Sequence, residues 1–173
     1  MKKTLIAALV IFVLGIGIVY ISNRKSTTPV TNYEECVEQN NIILESYPPQ
    51  CRTGDGKSFT QDIGNELEKT DLITIENPRP NQRIKSPLNI TGRARGQWFF
   101  EADAPAKLVD KNGNIIAEGH IQAQGEWMTS NFVIYEGKII FETNERSGKL
   151  IIEKANPSGL PENADSLEIP VKF

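Results

Sequence analysis

From Asp71 onward the chain is a succession of short alternating apolar segments cut by Gly, Pro and Asn, and no window of it repeats with a helical period. That pattern restricts the region to an all-β fold. Alternation puts every second side chain on one face of a strand, whereas a helix needs apolar residues three and four apart. Strands are expected at Leu72–Glu76, Leu88–Thr91, Gln97–Ala102, Ala106–Val109, Asn114–Ala123, Phe132–Thr143 and Lys149–Lys154. In the last segment Leu167, Ile169, Val171 and Phe173 alternate with Glu168, Pro170 and Lys172, a pattern for an edge strand, where proline is tolerated. Asn112-Gly113, between Leu108-Val109 and Ile115-Ile116, marks a hairpin, since both residues accept positive φ. Short strands at this spacing point to an antiparallel β-sandwich of about seven strands over residues 71–173.

The first 70 residues are different in kind. Leu5 to Ile21 is a run of seventeen residues without a charge, long enough to cover roughly 26 Å as a helix. It reads as a membrane anchor, residues 1–25, with Lys2, Lys3, Arg24 and Lys25 flanking it. The alternative is a cleaved secretory signal, but that has a shorter apolar stretch and an Ala-x-Ala-like exit, which Tyr20-Ile21-Ser22 does not offer. Residues 26–32 form a polar spacer. Residues 33–60 hold too little apolar material for a core of their own, but they contain the two cysteines, Cys36 and Cys51. An isolated pair around a short polar loop suits a disulfide formed outside the cytoplasm, which makes this stretch a stapled minidomain and puts the C-terminal bulk outside the cell membrane. Gln61 to Thr70 reads as a linker.

Charge narrows the partners. Between Thr31 and Glu76 ten acids face Arg52, Lys57 and Lys69, while residues 77–173 carry twelve charges of each sign. A neutral domain behind an acidic connector gives no electrostatic basis for nucleic acid, whose phosphates require clustered cations.

Read in order, the β region contains Ile84-Lys85-Ser86-Pro87-Leu88, Ile90-Thr91-Gly92-Arg93-Ala94, Gly96-Gln97-Trp98-Phe99-Phe100-Glu101-Ala102, Leu108-Val109-Asp110-Lys111-Asn112-Gly113, Trp127-Met128-Thr129, Asn156-Pro157-Ser158-Gly159-Leu160-Pro161 and Ile169-Pro170-Val171-Lys172-Phe173. Over residues 73–173 this series closely resembles the immunoglobulin-like domain of bacterial spore germination. The resemblance implies a non-enzymatic accessory module of a bacterial envelope protein, not restricted to spore formers. The germination-type domain that usually accompanies it has no counterpart here, and residues 33–60 take its place. That stretch, through Tyr47-Pro48-Pro49-Gln50-Cys51 and Asp55-Gly56-Lys57-Ser58-Phe59, is similar to a small lipoprotein-like module of bacterial surface proteins.

Candidate sites follow from residue types. Asp110, Asn112 and Asn114 have the alternate oxygen spacing that opens a calcium loop, but Ile115 stands where that loop needs glycine, so a hairpin turn is the better reading and no metal site is expected. Glu101, Asp103, Glu118 and Glu126 show no spacing that pairs two of them, His120 stands alone, and no Gly-x-Ser-x-Gly, phosphate loop or dinucleotide fingerprint occurs. The expectation is a protein that is not an enzyme and needs no cofactor. Arg79, Arg83, Lys85, Arg93 and Arg95, with no acid between Asn77 and Phe100, form the most uneven charge of the domain and one candidate binding surface. In a strand over Gln97–Ala102, Trp98 and Phe100 would face the core while Phe99 and Glu101 face outward, Phe99 being either covered by a loop or part of a binding surface. The function expected is a tethered interaction or scaffold module whose partner is an envelope protein; a wall glycan or anionic polymer is the alternative ligand, and a hydrolase the remoter one.

Overall fold

A computed structural model describes residues 29–173, so the apolar run Leu5–Ile21 and its basic flanks lie outside the described residues. Among the described residues no helix is long and apolar enough to cross a membrane. The chain divides into two compact units between Thr60 and Gln61.

The first unit is built on its disulfide. Helix α1, Tyr33–Glu38, starts at Asn32, whose side chain accepts a hydrogen bond from the Glu35 amide at 2.9 Å. Glu35 reaches back to the Thr31 amide and hydroxyl, and these bonds hold its carboxyl below the ordinary range. Such reciprocal capping satisfies amides that a short helix leaves open. Strands β1 (Ile42–Leu44), β2 (Gln50–Arg52) and β3 (Ser58–Thr60) form an antiparallel meander. Cys36 of α1 is bonded to Cys51 of β2, and these two are the fully buried side chains among the described residues of the unit.

The second unit holds β4 (Ile73–Asn77), β5 (Leu88–Arg95), β6 (Asp103–Asp110), β7 (Ile115–Ala123), β8 (Phe132–Ile139), β9 (Ser147–Glu153) and β10 (Ser166–Lys172). Their order is β10-β9-β6-β7-β8-β5-β4. Split between β6 and β7, this gives β4-β5-β8-β7 and β6-β9-β10, the strand order of the two immunoglobulin sheets. Here the halves are not separate: β6 pairs with β7 from Asp103↔Gln122 to Val109↔Ile115, so one continuous sheet folds around a single core. The other seam closes where Arg83 bridges Lys172 in parallel, with Ile84 donating to the Lys172 carbonyl and Lys172 to that of Gln82. Only the outer side of β4 stays an open strand edge of this sheet, and Arg79 covers part of it by donating to the Ile75 carbonyl at 2.5 Å. A cation at an edge deters pairing with another chain.

Inward residues of both halves, among them Ile75, Ile90, Tyr135, Leu108, Leu150, Ile152 and Ile169, meet in one cluster. Gly92 has a specific task in it. A Cβ there would stand 2.2 Å from the Thr74 carbonyl oxygen and 2.5 Å from the Tyr135 hydroxyl, because the Tyr135 ring crosses the glycine to donate to that carbonyl at 3.0 Å. Burial pushes the Tyr135 phenol far above its ordinary pKa, so it remains a donor. Gly92→Ala should therefore destabilise the unit by about 1–3 kcal/mol and Tyr135→Phe by about 1 kcal/mol, measured by denaturant unfolding. A Gly92→Ala chain as stable as the parent would show that the crossing is not needed.

Three expectations change. Gln97–Ala102 is not a strand. Gly96–Trp98 forms a 3-10 turn, begun by a close approach in which a Cβ on Gly96 would lie 2.0 Å from the Trp127 carbonyl oxygen. A two-residue hairpin follows, with Phe100 and Asp103 exchanging both backbone hydrogen bonds at 3.0 Å and Glu101 and Ala102 at φ 52° and 63°. Both φ values are those of a type I′ turn. Consequently Trp98 (1% exposed) and Phe99 (4%) both enter the core and Phe100 (49%) faces solvent, the reverse of the expectation for Phe99 and Phe100. Second, the hairpin at Asn112-Gly113 has a positive φ at Gly113 alone and shifts register beyond Leu108, so it is a bulged turn. Third, residues 61–70 are part of the second unit: Ile63 and Glu66 are buried, Glu66 pairs with Arg79 at 2.7 Å, and Asn65 bonds to β10.

Candidate functional site

The outward faces of the two sheet halves differ. On the β6-β9-β10 half, Lys107 pairs with Glu153 and Lys149 with Glu168, at 3.1 Å for the latter, so its charges are largely matched in place. On the β4-β5-β8-β7 half, alternation turns Arg93 and Arg95 of β5, Phe132 and Ile134 of β8, and His120 and Gln122 of β7 outward. The register sets Arg95 opposite Phe132, Arg93 opposite Ile134, and His120 opposite Lys138. The result is a mixed face, with Arg93 and Arg95 along one side, Phe132 and Ile134 at one end of β8, and Glu136 and Lys138 farther along that strand.

Arg95 organises one corner of it. Its guanidinium donates to the Asp71 carbonyl at 2.9 Å and the Ser130 carbonyl at 3.2 Å, and lies 4.2 Å from the centre of the Phe132 ring. The cation thus backs one face of an aromatic ring on its own sheet, an attraction set by the ring quadrupole. Ile134, 57% exposed, stands two residues along. The chain from Gln124 to Asn131 runs between the two neighbours of β8: the Gln124 amide donates to the Ile134 carbonyl at 2.8 Å on the β7 side, and the Asn131 carbonyl accepts from the Gly96 amide at 3.1 Å on the β5 side. A cleft of about 500 Å³ lies there, lined by Gln124, Glu126, Thr129, Asn131, Phe132 and Ile134 among others. A second, of about 770 Å³, continues along the same face past Thr91, His120, Gln122 and Lys138.

The residues singled out from sequence distribute unevenly. Arg93 and Arg95 belong to this face, although Arg93 stands only 3.7 Å from Glu76, both side chains exposed, a pairing worth little. Arg79, Arg83 and Lys85 lie in the β4–β5 connection, where Arg79 pairs with Glu66 and Arg83 donates to the Phe173 carbonyl. The five cations therefore belong to two places. Phe99 packs against Tyr135 with ring centres 6.5 Å apart and is no surface residue, and Glu101 sits exposed in the type I′ turn. Asp110 spends both oxygens on the hairpin, accepting from the Asn112 and Asn114 amides and the Asn114 side chain, each at 2.8 Å. Those bonds, the Asn114 side chain first, lower its pKa. His120 Nδ1 lies 2.6 Å from the Asp103 carboxylate. Its cross-strand neighbours Pro105 and Lys138 offer no hydroxyl or thiol. Among the described residues no group of three or more His, Cys, Asp or Glu is placed to hold a metal ion.

Sequence reasoning missed Phe132, Ile134 and the Gln124–Asn131 rim. Phe132-Val133-Ile134-Tyr135 is apolar without interruption, so periodicity could not say which members face out.

No curated protein and no solved structure matches the chain. The immunoglobulin-like domain of bacterial spore germination matches residues 72–159, just over half of the 173 residues and six of the seven strands described above. With that match and an immunoglobulin strand order, the chain belongs to the family of immunoglobulin-like domains of bacterial spore germination.

Proposed function

We propose that the protein is a non-catalytic interaction module of a bacterial envelope, tethered by Leu5–Ile21 with residues 33–173 outside the membrane, and that it meets its partner through the outward face of β5, β8 and β7. The observation carrying this reading is the contrast between the two sheet faces: one has its charges paired in place, and the other presents Phe132 and Ile134 beside two clefts. Exposed apolar groups rimmed by polar ones mark interaction surfaces. The buried Cys36–Cys51 disulfide supports an oxidising compartment.

The test is made in cells. Protease added to spheroplasts should remove residues 33–173 and leave a membrane-bound stub containing Met1. A photo-crosslinking side chain at Ile134 should form adducts with envelope material that the same group at Lys111, on the far hairpin, does not. Protection from protease, or Cys36 and Cys51 found as thiols in cells, would overturn the location. Equal adducts at both positions would overturn the face.

A further inference from the structure

Building on the reading of this domain as an envelope interaction module, we propose that the cleft between β8 and the Gln124–Asn131 segment binds a neutral glycan. Three properties of the cleft select that chemistry. Its floor is apolar, with Phe132 and Ile134 outward on β8. The Phe132 ring is occupied by Arg95 on the side of β5, its cross-strand neighbour, while Gln124 borders β8 from the other side. Phe132 lines the cleft and is 37% exposed, and an exposed ring there offers a platform for the C–H face of a sugar. Arg95 is itself fixed by two carbonyls, so the platform is in place before a ligand arrives, and preorganisation of this kind lowers the entropic cost of binding.

The rim supplies the second property. Gln124 and Asn131 are exposed amides, and amides both donate to and accept from hydroxyls. The Thr129 hydroxyl and the Glu126 carboxylate complete the rim while bracing the segment, accepting from the Asn131 and Met128 amides respectively. Charge supplies the third. Among the described residues Glu126 is the one ionisable side chain lining the cleft, which disfavours phosphate-rich polymer, and the amides disfavour a wholly apolar ligand. A polyhydroxylated chain without formal charge matches both the apolar floor and the amide rim.

The experiment titrates the full chain, held in a detergent without a sugar headgroup, with chitin oligosaccharides and with cello-oligosaccharides, both uncharged, following the tryptophan emission to which Trp127, inside the rim segment, contributes. Polyglycerol phosphate is titrated alongside. The expected result is saturable glycan binding insensitive to salt, weakened about tenfold or more in Phe132→Leu, retained in Phe132→Tyr, and weakened in Gln124→Ala and Asn131→Ala, as hot-spot residues behave. Melting temperature is read for every variant. Should Phe132→Leu fail to fold, the two amide variants, at exposed positions, decide the matter. No glycan binding by the parent chain, binding indifferent to all these substitutions, or salt-sensitive binding of polyglycerol phosphate in place of glycan would overturn the proposal. An adduct from Ile134 to an envelope protein, with no glycan bound, would likewise overturn it while leaving the module reading intact.

Discussion

Trp98→Ala should remove about 3–5 kcal/mol from the stability of residues 61–173, which is much of what a domain of this size possesses, and should leave little folded protein at moderate denaturant. The side chain is 1% exposed within the core that joins both sheet halves. Its indole N–H has no acceptor among the described residues, so the loss is one of packing and Trp98→Phe should recover much of it. Phe99→Ala should approach the same cost, because Phe99 is 4% exposed and packs on Tyr135. Phe100→Ala, two residues from Trp98 and half exposed, should change stability by less than about 0.5 kcal/mol. Circular dichroism in a denaturant series reads all four. A strand over Gln97–Ala102 predicts the opposite order for Phe99 and Phe100, so equal costs at those two positions would contradict the turn described here.

Reduction of Cys36–Cys51 should destabilise the first unit by about 3 kcal/mol, the value of the chain-entropy model for a loop of this length. Among the described residues of that unit Ile42, Ile43, Leu44 and Tyr47 are all exposed, and the two half-cystines are the buried core. The second unit contains no cysteine, so its melting should not move. Hydrogen exchange with and without reductant separates the two. Loss of protection over residues 33–60 alone is expected, and a common loss extending to β6 and β9 would show that the units unfold together.

Much of this architecture is legible in the residues. β10 is read from strict alternation, and β7 and β9 agree with their expected bounds to within two residues; β9 and β10 each have one face buried, and a period of two reports that burial directly. The disulfide follows from two cysteines with no competing partner. What stays hidden depends on backbone conformation that side chains do not announce. A type I′ turn is ordinarily signalled by Asn-Gly, yet the positive φ values fall on Glu101-Ala102, while Asn112-Gly113 forms a bulged turn instead. That exchange alone reverses which of Phe99 and Phe100 meets solvent. The candidate face was half visible for a related reason: Arg93 and Arg95 stand out by charge, but the ring that Arg95 covers lies in an uninterrupted apolar run on a strand distant in sequence. The grouping of all five cations failed because the β4–β5 connection carries Arg79, Arg83 and Lys85 to partners of their own or to open solvent.

Asn65 joins the start of the second unit to its final strand, donating from its backbone amide to the Glu168 carbonyl at 3.1 Å and from its side chain to that of Ser166 at 2.9 Å, and accepting from the Glu168 amide at 2.8 Å. A pull applied from the N-terminal side therefore reaches β10 before it reaches β4. The three bonds share that load, and β10 passes it to β9 through a seven-pair ladder. Under a pull from that side, this bypass keeps β4, the strand with an open edge, from being peeled away first.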